Sequence, residues 1–217
     1  MTSIIVENVT KRIRKNIVLD CINIELRGRR VYGLKGVNGS GKTMLMRVIS
    51  GLIRPTTGRV LINNKELHRD ISFPESIGLL LESPAFLDAY SGEDNLKILA
   101  SIKGLAKDER VCKVINEVGL DDAKKKKYRK YSLGMKQRLG IAAAIMENPD
   151  IIILDEPTNA LDDDGIEVVK KIVYEEKQRG ALIIISCHDA AVLNELSDEV
   201  FCINNGKIVD HIVLGEE

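Results

Sequence analysis

The sequence predicts an α/β fold with a mainly parallel core sheet, an N-terminal antiparallel β section and an inserted helical lobe. Unbroken apolar runs at 151–154 and 182–185 are typical of strands that are buried on both faces of a parallel sheet. The alternation of apolar and polar residues at 22–26 predicts a half-exposed strand near the N-terminus. Between residues 84 and 149 apolar side chains recur at helical spacing, which predicts the lobe.

Length and charge are those of an ordinary globular protein. The chain has 217 residues, which suits one α/β domain. We therefore expect a single domain over 1–217, with its core at about 1–83 and 150–217 and its helical lobe at about 84–149. Lys plus Arg and Asp plus Glu number 32 each, so no net charge attracts nucleic acid, and we expect no nucleic-acid partner.

Cysteine spacing and hydropathy argue against a zinc or redox protein, a secreted protein and a membrane-spanning protein. The four cysteines form no CxxC pair and have no histidine at zinc-ligand spacing, so neither a zinc site nor a redox motif is predicted. Residues 1–12 lack the pattern of a leader peptide, and no window approaches the roughly 20 apolar residues that span a bilayer. The sequence therefore predicts a soluble, cytosolic protein.

Changes in the apolar pattern place the elements in order along the chain. In the first part we predict strands at 4–6 and 22–26 around a polar bend at 11–16, a strand at 31–35, a helix at 43–49 ended by Gly51, and a strand at 59–62 after a turn at 55–58. In the second part we predict helical stretches at 96–100 and 111–115, the two buried strands, a crossover helix at 166–177 between them, and a terminal hairpin at 201–209.

A glycine-rich loop with the spacing G-x-x-x-x-G-K-T joins the strand at 31–35 to the following helix. Its residues are Gly36, Val37, Asn38, Gly39, Ser40, Gly41, Lys42 and Thr43. Glycines let the backbone amides turn inward, so that the amides and the helix N-terminus surround phosphate oxygens. We expect Lys42 to bridge the β- and γ-phosphates and Thr43 to ligate Mg²⁺. The flanking strand and helix favour this P-loop NTPase interpretation over a fortuitous glycine-rich turn.

Two acidic residues end the buried strand at 151–154. Ligands of parallel α/β sheets bind at the carboxyl ends of the strands, where Asp155 and Glu156 lie. We expect Asp155 to be a magnesium partner and Glu156 to be the general base that positions or deprotonates the attacking water. The alternative is a merely solvated strand end, which the phosphate loop makes less attractive.

The segment 131–138, with the sequence YSLGMKQR, precedes an apolar helix. A serine hydroxyl and free amides at a helix N-terminus can hold an anion, so Ser132 and Gly134 are candidate phosphate contacts. The alternative is an ordinary serine N-cap.

Farther on, residues 157–162 follow the two acids, and His188 follows the strand at 182–185. There His188 can contact the γ-phosphate, or it can serve only as a polar cap.

Together these motifs resemble those of the ABC ATPases, the ATP-binding subunits of ABC transporters. The segment 131–138 is similar to the family signature Leu-Ser-Gly-Gly-Gln, with Ser132 and Gly134 in matching places. Residues 157–162 are similar to the D-loop, and His188 is similar to the switch histidine. The resemblance runs from about residue 4 to 213 and keeps the family's motif order.

The resemblance implies a function and partners that the spacing alone does not reveal. It implies ATP binding and hydrolysis with Mg²⁺, and a head-to-tail homodimer or heterodimer in which the loop of one chain and Ser132 of the other enclose each ATP. It further implies an integral-membrane permease as partner, with this chain attached peripherally to the inner face of the membrane.

Within the signature, Tyr131, Leu133 and Met135 depart from the family pattern, and two positions elsewhere depart from it as well. Glu82 stands where the family's Q-loop glutamine is expected, so we predict a catalytic and metal-binding role for a carboxylate that cannot donate a hydrogen bond when ionised. The alternative is a surface glutamate in a loop. Ile13 stands near the position of the aromatic residue that stacks on adenine, and it is flanked by arginines that can supply planar stacking instead.

Cargo and turnover leave several alternatives open. The signature variant and the segment 82–84 resemble the bacterial ABC-2-type exporters of peptide antibiotics and lantibiotics, so an exporter of drug, peptide antibiotic or similar cargo is expected. One alternative is a non-transport ABC ATPase that acts on ribosomes or DNA. Another is a nucleotide-dependent regulator that hydrolyses ATP weakly.

Overall fold

The structure, a computed structural model, describes residues 2–214; residue 1 and residues 215–217, at the two ends of the predicted 1–217 domain, lie outside the described residues. In chain order the strands are β1 Ser3–Ile13, β2 Asn16–Arg27, β3 Arg30–Lys35, β4 Thr57–Ile62, β5 Lys65–Glu66, β6 Ile77–Leu80, β7 Ile151–Asp155, β8 Leu182–Ser186, β9 Glu199–Asn204 and β10 Lys207–Val213. The helices are α1 Lys42–Ile49, α2 Gly92–Lys103, α3 Asp108–Glu117, α4 Leu133–Ile145, α5 Asp163–Arg179 and α6 Ala190–Leu196.

The strands form two sheets. The antiparallel sheet has the order β2-β1-β4-β5 and contains the long hairpin of β1 and β2, as well as the returning strand that the sequence predicted. The second sheet has the order β10-β9-β3-β8-β7-β6. The five strands from β9 to β6 run parallel, and β10 adds an antiparallel edge. This arrangement confirms the predicted α/β class with a mainly parallel sheet.

Strand β6 is absent from the sequence prediction. It spans four residues and pairs with β7, so that Leu80 lies opposite Leu154. A Cβ atom on Gly78 would lie 1.7 Å from the Ala144 carbonyl oxygen, so only glycine allows β6 to approach α4 this closely. This glycine also interrupts the apolar run of the strand, and for that reason the sequence pattern did not predict β6.

Two hydrophobic clusters hold the layers together. One lies between the two sheets and includes α1, whose Leu45 and Ile49 are fully buried. The other joins the opposite face of the parallel sheet to the helices, including α4 and α5. The predicted helical lobe consists of α2, α3 and α4 with two short 3-10 turns at 121–123 and 128–130. Among residues 2–214, none of the helices has the length and apolar character needed to cross a bilayer.

Candidate functional site

The glycine-rich loop lies between the carboxyl end of β3 and the first turn of α1. Gly39 and Gly41 adopt left-handed backbone conformations, with φ of 79° and 116°. At Gly36 a Cβ atom would lie 2.3 Å from the Ile203 carbonyl oxygen, so a side chain there would collide with β9. Gly41 precedes α1, and no side chain caps the amides of the first turn. The loop thus presents free amides at a helix N-terminus, the arrangement that binds phosphate.

Lys42 is buried within this loop and points across it. Its Nζ donates hydrogen bonds to the carbonyl oxygens of Gly36 at 2.7 Å and of Val37 at 3.3 Å. These bonds satisfy part of the donor capacity of the ammonium, which has three N–H groups. The loop backbone therefore holds a positive charge at the position where an anionic ligand would meet the amides.

An open cleft of about 360 Å³ lies in front of the loop. It brings together most of the sequence-predicted residues, from three separate segments of the chain. The residues that line it are Val18, Asn38, Gly39, Gly41, Lys42, Thr43, Met44, Asp155, Glu156 and His188. The parallel register places these segments at one edge, because β3, β7 and β8 all end there.

A chain of short hydrogen bonds links α1, β7 and β8 at this edge. The hydroxyl of Thr43 donates to Asp155 Oδ2 at 2.5 Å, and the hydroxyl of Ser186 donates to Asp155 Oδ1 at 2.5 Å. Ser186 is fully buried, and the sequence prediction did not include it as a site residue. Its only signal was its position directly after the apolar run at 182–185. These hydroxyl and carboxylate oxygens are the donors that hard cations such as Mg²⁺ prefer.

Glu156 leaves β7 in a strained conformation. Its φ is 54°, in the left-handed region that is uncommon for residues other than glycine. The backbone N–H of Glu156 donates to the hydroxyl and the carbonyl oxygen of Ser186, both at 3.1 Å, and Gln137 Nε2 donates to the Glu156 carbonyl at 2.9 Å. Neighbours on both sides therefore stabilise the conformation that directs Glu156 into the cleft.

The Glu156 carboxylate lies beside His188, with 3.9 Å between Oε1 and Nε2. Burial raises the pKa of the Glu156 carboxyl, His188 opposes the rise, and Asp155 adds to it. A general base is most effective when its pKa lies near the operating pH, and a raised pKa moves Glu156 in that direction. His188 is itself more than half exposed, so it can reach a ligand in the cleft.

Seven predicted site residues do not line the cleft: Gly36, Val37 and Ser40 belong to the phosphate loop itself, and Ile13, Glu82, Ser132 and Gly134 belong to other segments. Ile13 lies at the tip of the β1–β2 hairpin and is half-exposed, while Val18 is the β2 residue that lines the cleft. Glu82 forms an ion pair with Arg47 of α1, and its side chain is mostly exposed. The structure therefore does not bring Ile13 or Glu82 to the phosphate loop.

Ser132 and Gly134 line a separate surface depression of about 590 Å³, together with Ala160 and Leu161 of the segment after Glu156. The Ser132 hydroxyl accepts a hydrogen bond from the Met135 N–H at 3.2 Å, so it acts as the N-cap of α4. A Cβ atom on Gly134 would lie 2.8 Å from the Ala160 carbonyl oxygen, so this position requires glycine. Within one chain the signature residues and the phosphate loop belong to different surfaces.

The sequence matches the family model described as ABC transporter over residues 19–159. It is 49% identical over 201 residues to the ABC transporter ATP-binding protein YybJ of Bacillus subtilis, which covers 93% of this chain and 92% of that protein. It is 36% identical to the bacitracin transport ATP-binding protein BcrA of Enterococcus faecalis, over 97% of this chain and 69% of that protein. It is 35% identical to the lantibiotic transport ATP-binding protein SrtF of Streptococcus pyogenes, over 94% of this chain and 88% of that protein.

Solved structures of ABC cassettes share the fold. An ATP-binding subunit of an ABC transporter superposes with a TM-score of 0.88 at 25% identity, covering 97% of this chain and 90% of that one. The dimeric structure of the bacterial ABC transporter cassette MJ0796 gives a TM-score of 0.89 at 22% identity, over 99% of this chain and all of that one. The family match, the relatives and the cleft agree, and this chain therefore belongs to the ABC transporter family as one of its ATP-binding ATPases.

Proposed function

We propose that this chain binds ATP and Mg²⁺ in the cleft before the phosphate loop and hydrolyses the ATP to power a separate membrane permease. One observation carries the proposal: Lys42, Thr43, Asp155, Glu156 and His188 line a single cleft at the carboxyl ends of parallel strands. A phosphate loop, a magnesium-type oxygen pair and a base candidate in one cleft are the parts that phosphoryl transfer from ATP to water needs.

Phosphate binding falls to the loop. In this proposal its amides and the N-terminus of α1 surround the phosphate oxygens, and Lys42 exchanges its bonds with loop carbonyls for bonds to the β- and γ-phosphates. Thr43 and Asp155 fit a magnesium site, because hydroxyl and carboxylate oxygens are ligands of Mg²⁺ and the two side chains are in hydrogen-bond contact. When bound, Mg²⁺ neutralises charge on the phosphate oxygens.

Hydrolysis falls to Glu156 and His188. The oxygen of a water molecule attacks the γ-phosphorus, the bond from that phosphorus to the β–γ bridging oxygen breaks, and the water proton passes to the Glu156 carboxylate. His188 lies beside Glu156, and in this proposal it contacts the γ-phosphate. Glu82 takes part in hydrolysis only after its side chain has separated from Arg47.

A second chain completes the site in this proposal. Ser132 and Gly134 lie on another face of the molecule, and they line an exposed depression at the N-terminus of α4. The proposed dimer, of two copies or of two related chains, places this depression over the ATP held by the partner's loop. We also propose that residues 1–217 act as one ATP-binding domain, with its core at about 1–83 and 150–217 and its helical lobe at about 84–149.

The proposed cargo is a drug, a peptide antibiotic or a similar molecule. Relatives named for bacitracin and lantibiotic transport are 36% and 35% identical over nearly the whole chain. In this role the chain is cytoplasmic and attached to the inner face of the membrane through the permease. Equal numbers of acidic and basic residues, 32 each, disfavour the alternative clamp on RNA or DNA.

Copurification tests the transport role. A tagged chain isolated from mild detergent is expected to bring down a polytopic membrane protein, and nuclease treatment is expected to leave that complex intact. The matched control is the same preparation without detergent extraction of membranes. Recovery of ribosomal RNA or DNA in place of a membrane protein would contradict the transport role and favour the ribosome or DNA alternative.

Ser186→Ala tests the support of Asp155. Removing the hydroxyl leaves Asp155 Oδ1 without its buried hydrogen-bond donor. We expect ATP turnover to fall roughly tenfold, the effect typical of removing a residue that hydrogen-bonds to a metal ligand. Phosphate release measures the effect at increasing Mg²⁺ concentrations. Ser101→Ala, which removes an exposed hydroxyl from α2, is the control and should leave turnover unchanged. Equal rates for the Ser186→Ala variant and the parent would show that Ser186 does not support the site.

A further inference from the structure

Glu82 and Glu156 occupy equivalent places at the ends of neighbouring strands. Leu80 of β6 lies opposite Leu154 of β7, and a glutamate follows each of these two leucines after one intervening residue. Both glutamates have left-handed backbones, with φ of 60° for Glu82 and 54° for Glu156. Because paired strands are about 4.8 Å apart, the Glu82 backbone lies next to the edge where ATP is proposed to bind.

The Glu82 side chain does not line the cleft and is instead paired with Arg47. Arg47 lies on α1 four residues after Thr43, so the two side chains share one face of the helix one turn apart. The Arg47 guanidinium forms an ion pair with Glu82 Oε1, and about two thirds of the Arg47 side chain is covered. The pair therefore connects α1, which carries the phosphate loop, to the segment that leads from β6 into the helical lobe.

The pair has an electrostatic consequence for nucleotide binding. Asp155 and Glu156 already bring two carboxylates to the edge that must receive the negatively charged phosphates of ATP. An uncompensated Glu82, which follows the neighbouring strand β6, would add a third negative charge near this edge. Charges separated by less than a Debye length, about 8 to 10 Å at ordinary salt, still repel each other measurably. A glutamine at this position would add no charge, so only the carboxylate needs a cation.

We propose that Arg47 is a positioning residue that neutralises Glu82 and thereby lets this chain carry a carboxylate beside its nucleotide cleft without losing ATP affinity. The inference rests on the proposed binding of ATP at this cleft. It assigns to Arg47 a role that depends on Glu82: without the carboxylate, the guanidinium is dispensable. Because the pair is partly exposed, its loss should affect folding little, and its effect should appear in ligand binding.

A double-mutant cycle tests the dependence directly. ATP affinity is measured by titration with a fluorescent ATP analogue in EDTA, so that no metal and no turnover contribute. We expect Arg47→Met to weaken binding roughly fivefold, the scale of one screened charge near the phosphates. Glu82→Gln should bind at least as tightly as the parent, and the Arg47→Met/Glu82→Gln double variant should return to the affinity of the parent.

Two controls separate charge from structure. Arg47→Lys keeps the positive charge and should stay close to the parent. Lys65→Met breaks an exposed pair with Glu75, 2.8 Å long, in the antiparallel sheet, and it should leave ATP affinity unchanged. Thermal melting of every variant checks folding; if Arg47→Met melts below the assay temperature, Arg47→Gln takes its place in the cycle.

The outcomes distinguish this inference from the function on which it rests. If the parent binds ATP and the double variant binds as weakly as Arg47→Met, Arg47 acts independently of Glu82 and the inference is overturned. If Arg47→Met binds as tightly as the parent, no compensation is needed and the inference is also overturned. If the parent itself fails to bind the analogue, the proposed nucleotide cleft fails first, and the role of Arg47 falls with it.

Discussion

Glu156→Gln is expected to abolish ATP turnover while ATP binding stays intact. The amide keeps the size of the side chain but cannot accept a proton from the attacking water. General-base catalysis is worth about 10²- to 10⁴-fold, so we expect phosphate release to fall about a thousandfold. In the presence of ATP and Mg²⁺ the variant should accumulate as a closed dimer, because ATP that is not hydrolysed keeps holding two chains together. A phosphate-release assay and sedimentation velocity measure the two effects.

Glu25→Gln is the matched control for this substitution. Glu25 lies on β2, where its carboxylate pairs with Arg27 at 2.8 Å on the exposed face of the antiparallel sheet. The same chemical change there should alter neither turnover nor assembly. Undiminished turnover in Glu156→Gln would rule out Glu156 as the base, and the cleft would need another group to take the proton.

Lys42→Ala is expected to weaken ATP binding itself, by an order of magnitude or more (roughly tenfold to a hundredfold), because a charge-assisted contact to the phosphates disappears. The truncation also removes the hydrogen bonds from Nζ to the carbonyl oxygens of Gly36 and Val37, which support the loop conformation. Titration with a labelled nucleotide gives the dissociation constant, and the loss should appear with and without Mg²⁺.

Lys35→Ala provides the comparison for Lys42. Lys35 ends β3, the strand that leads into the loop, and its side chain is exposed. Loss of this charge tests whether any lysine near the loop would serve, and we expect an unchanged dissociation constant. ATP binding by the Lys42→Ala variant with the affinity of the parent would mean that the nucleotide binds elsewhere.

The sequence predicted the parallel sheet and the phosphate loop well because both depend on local patterns. Runs of isoleucine and leucine at 151–154 and 182–185 mark strands covered on both faces, and these residues are buried in the structure. Loop conformation follows from glycines at Gly39 and Gly41, where positive φ favours glycine. Strand β6 was not predicted because one of its four residues is Gly78, and glycine has a low strand propensity. Glycine is required there because α4 packs closely against the strand.

Side-chain partners in and around the site could not be predicted in the same way. Ser186 supports Asp155 because the register pairs these two residues across β7 and β8, and no motif spacing encodes that register. Glu82 contacts Arg47 because α1 lies beside the end of β6, a long-range placement that arises only when the sheet has formed. The motifs therefore predicted the candidate residues, while the fold determines which of them lie close together.

A crystal structure of the Glu156→Gln variant with ATP and Mg²⁺ would test the central claim most directly, namely that this cleft holds ATP for hydrolysis. We expect the β- and γ-phosphates to lie against the amides of the loop with Lys42 Nζ in hydrogen-bonding range. We also expect Mg²⁺ on the Thr43 hydroxyl and Ser132 of a second chain facing the γ-phosphate. A nucleotide bound anywhere other than the cleft, or an empty loop at saturating ATP, would contradict it.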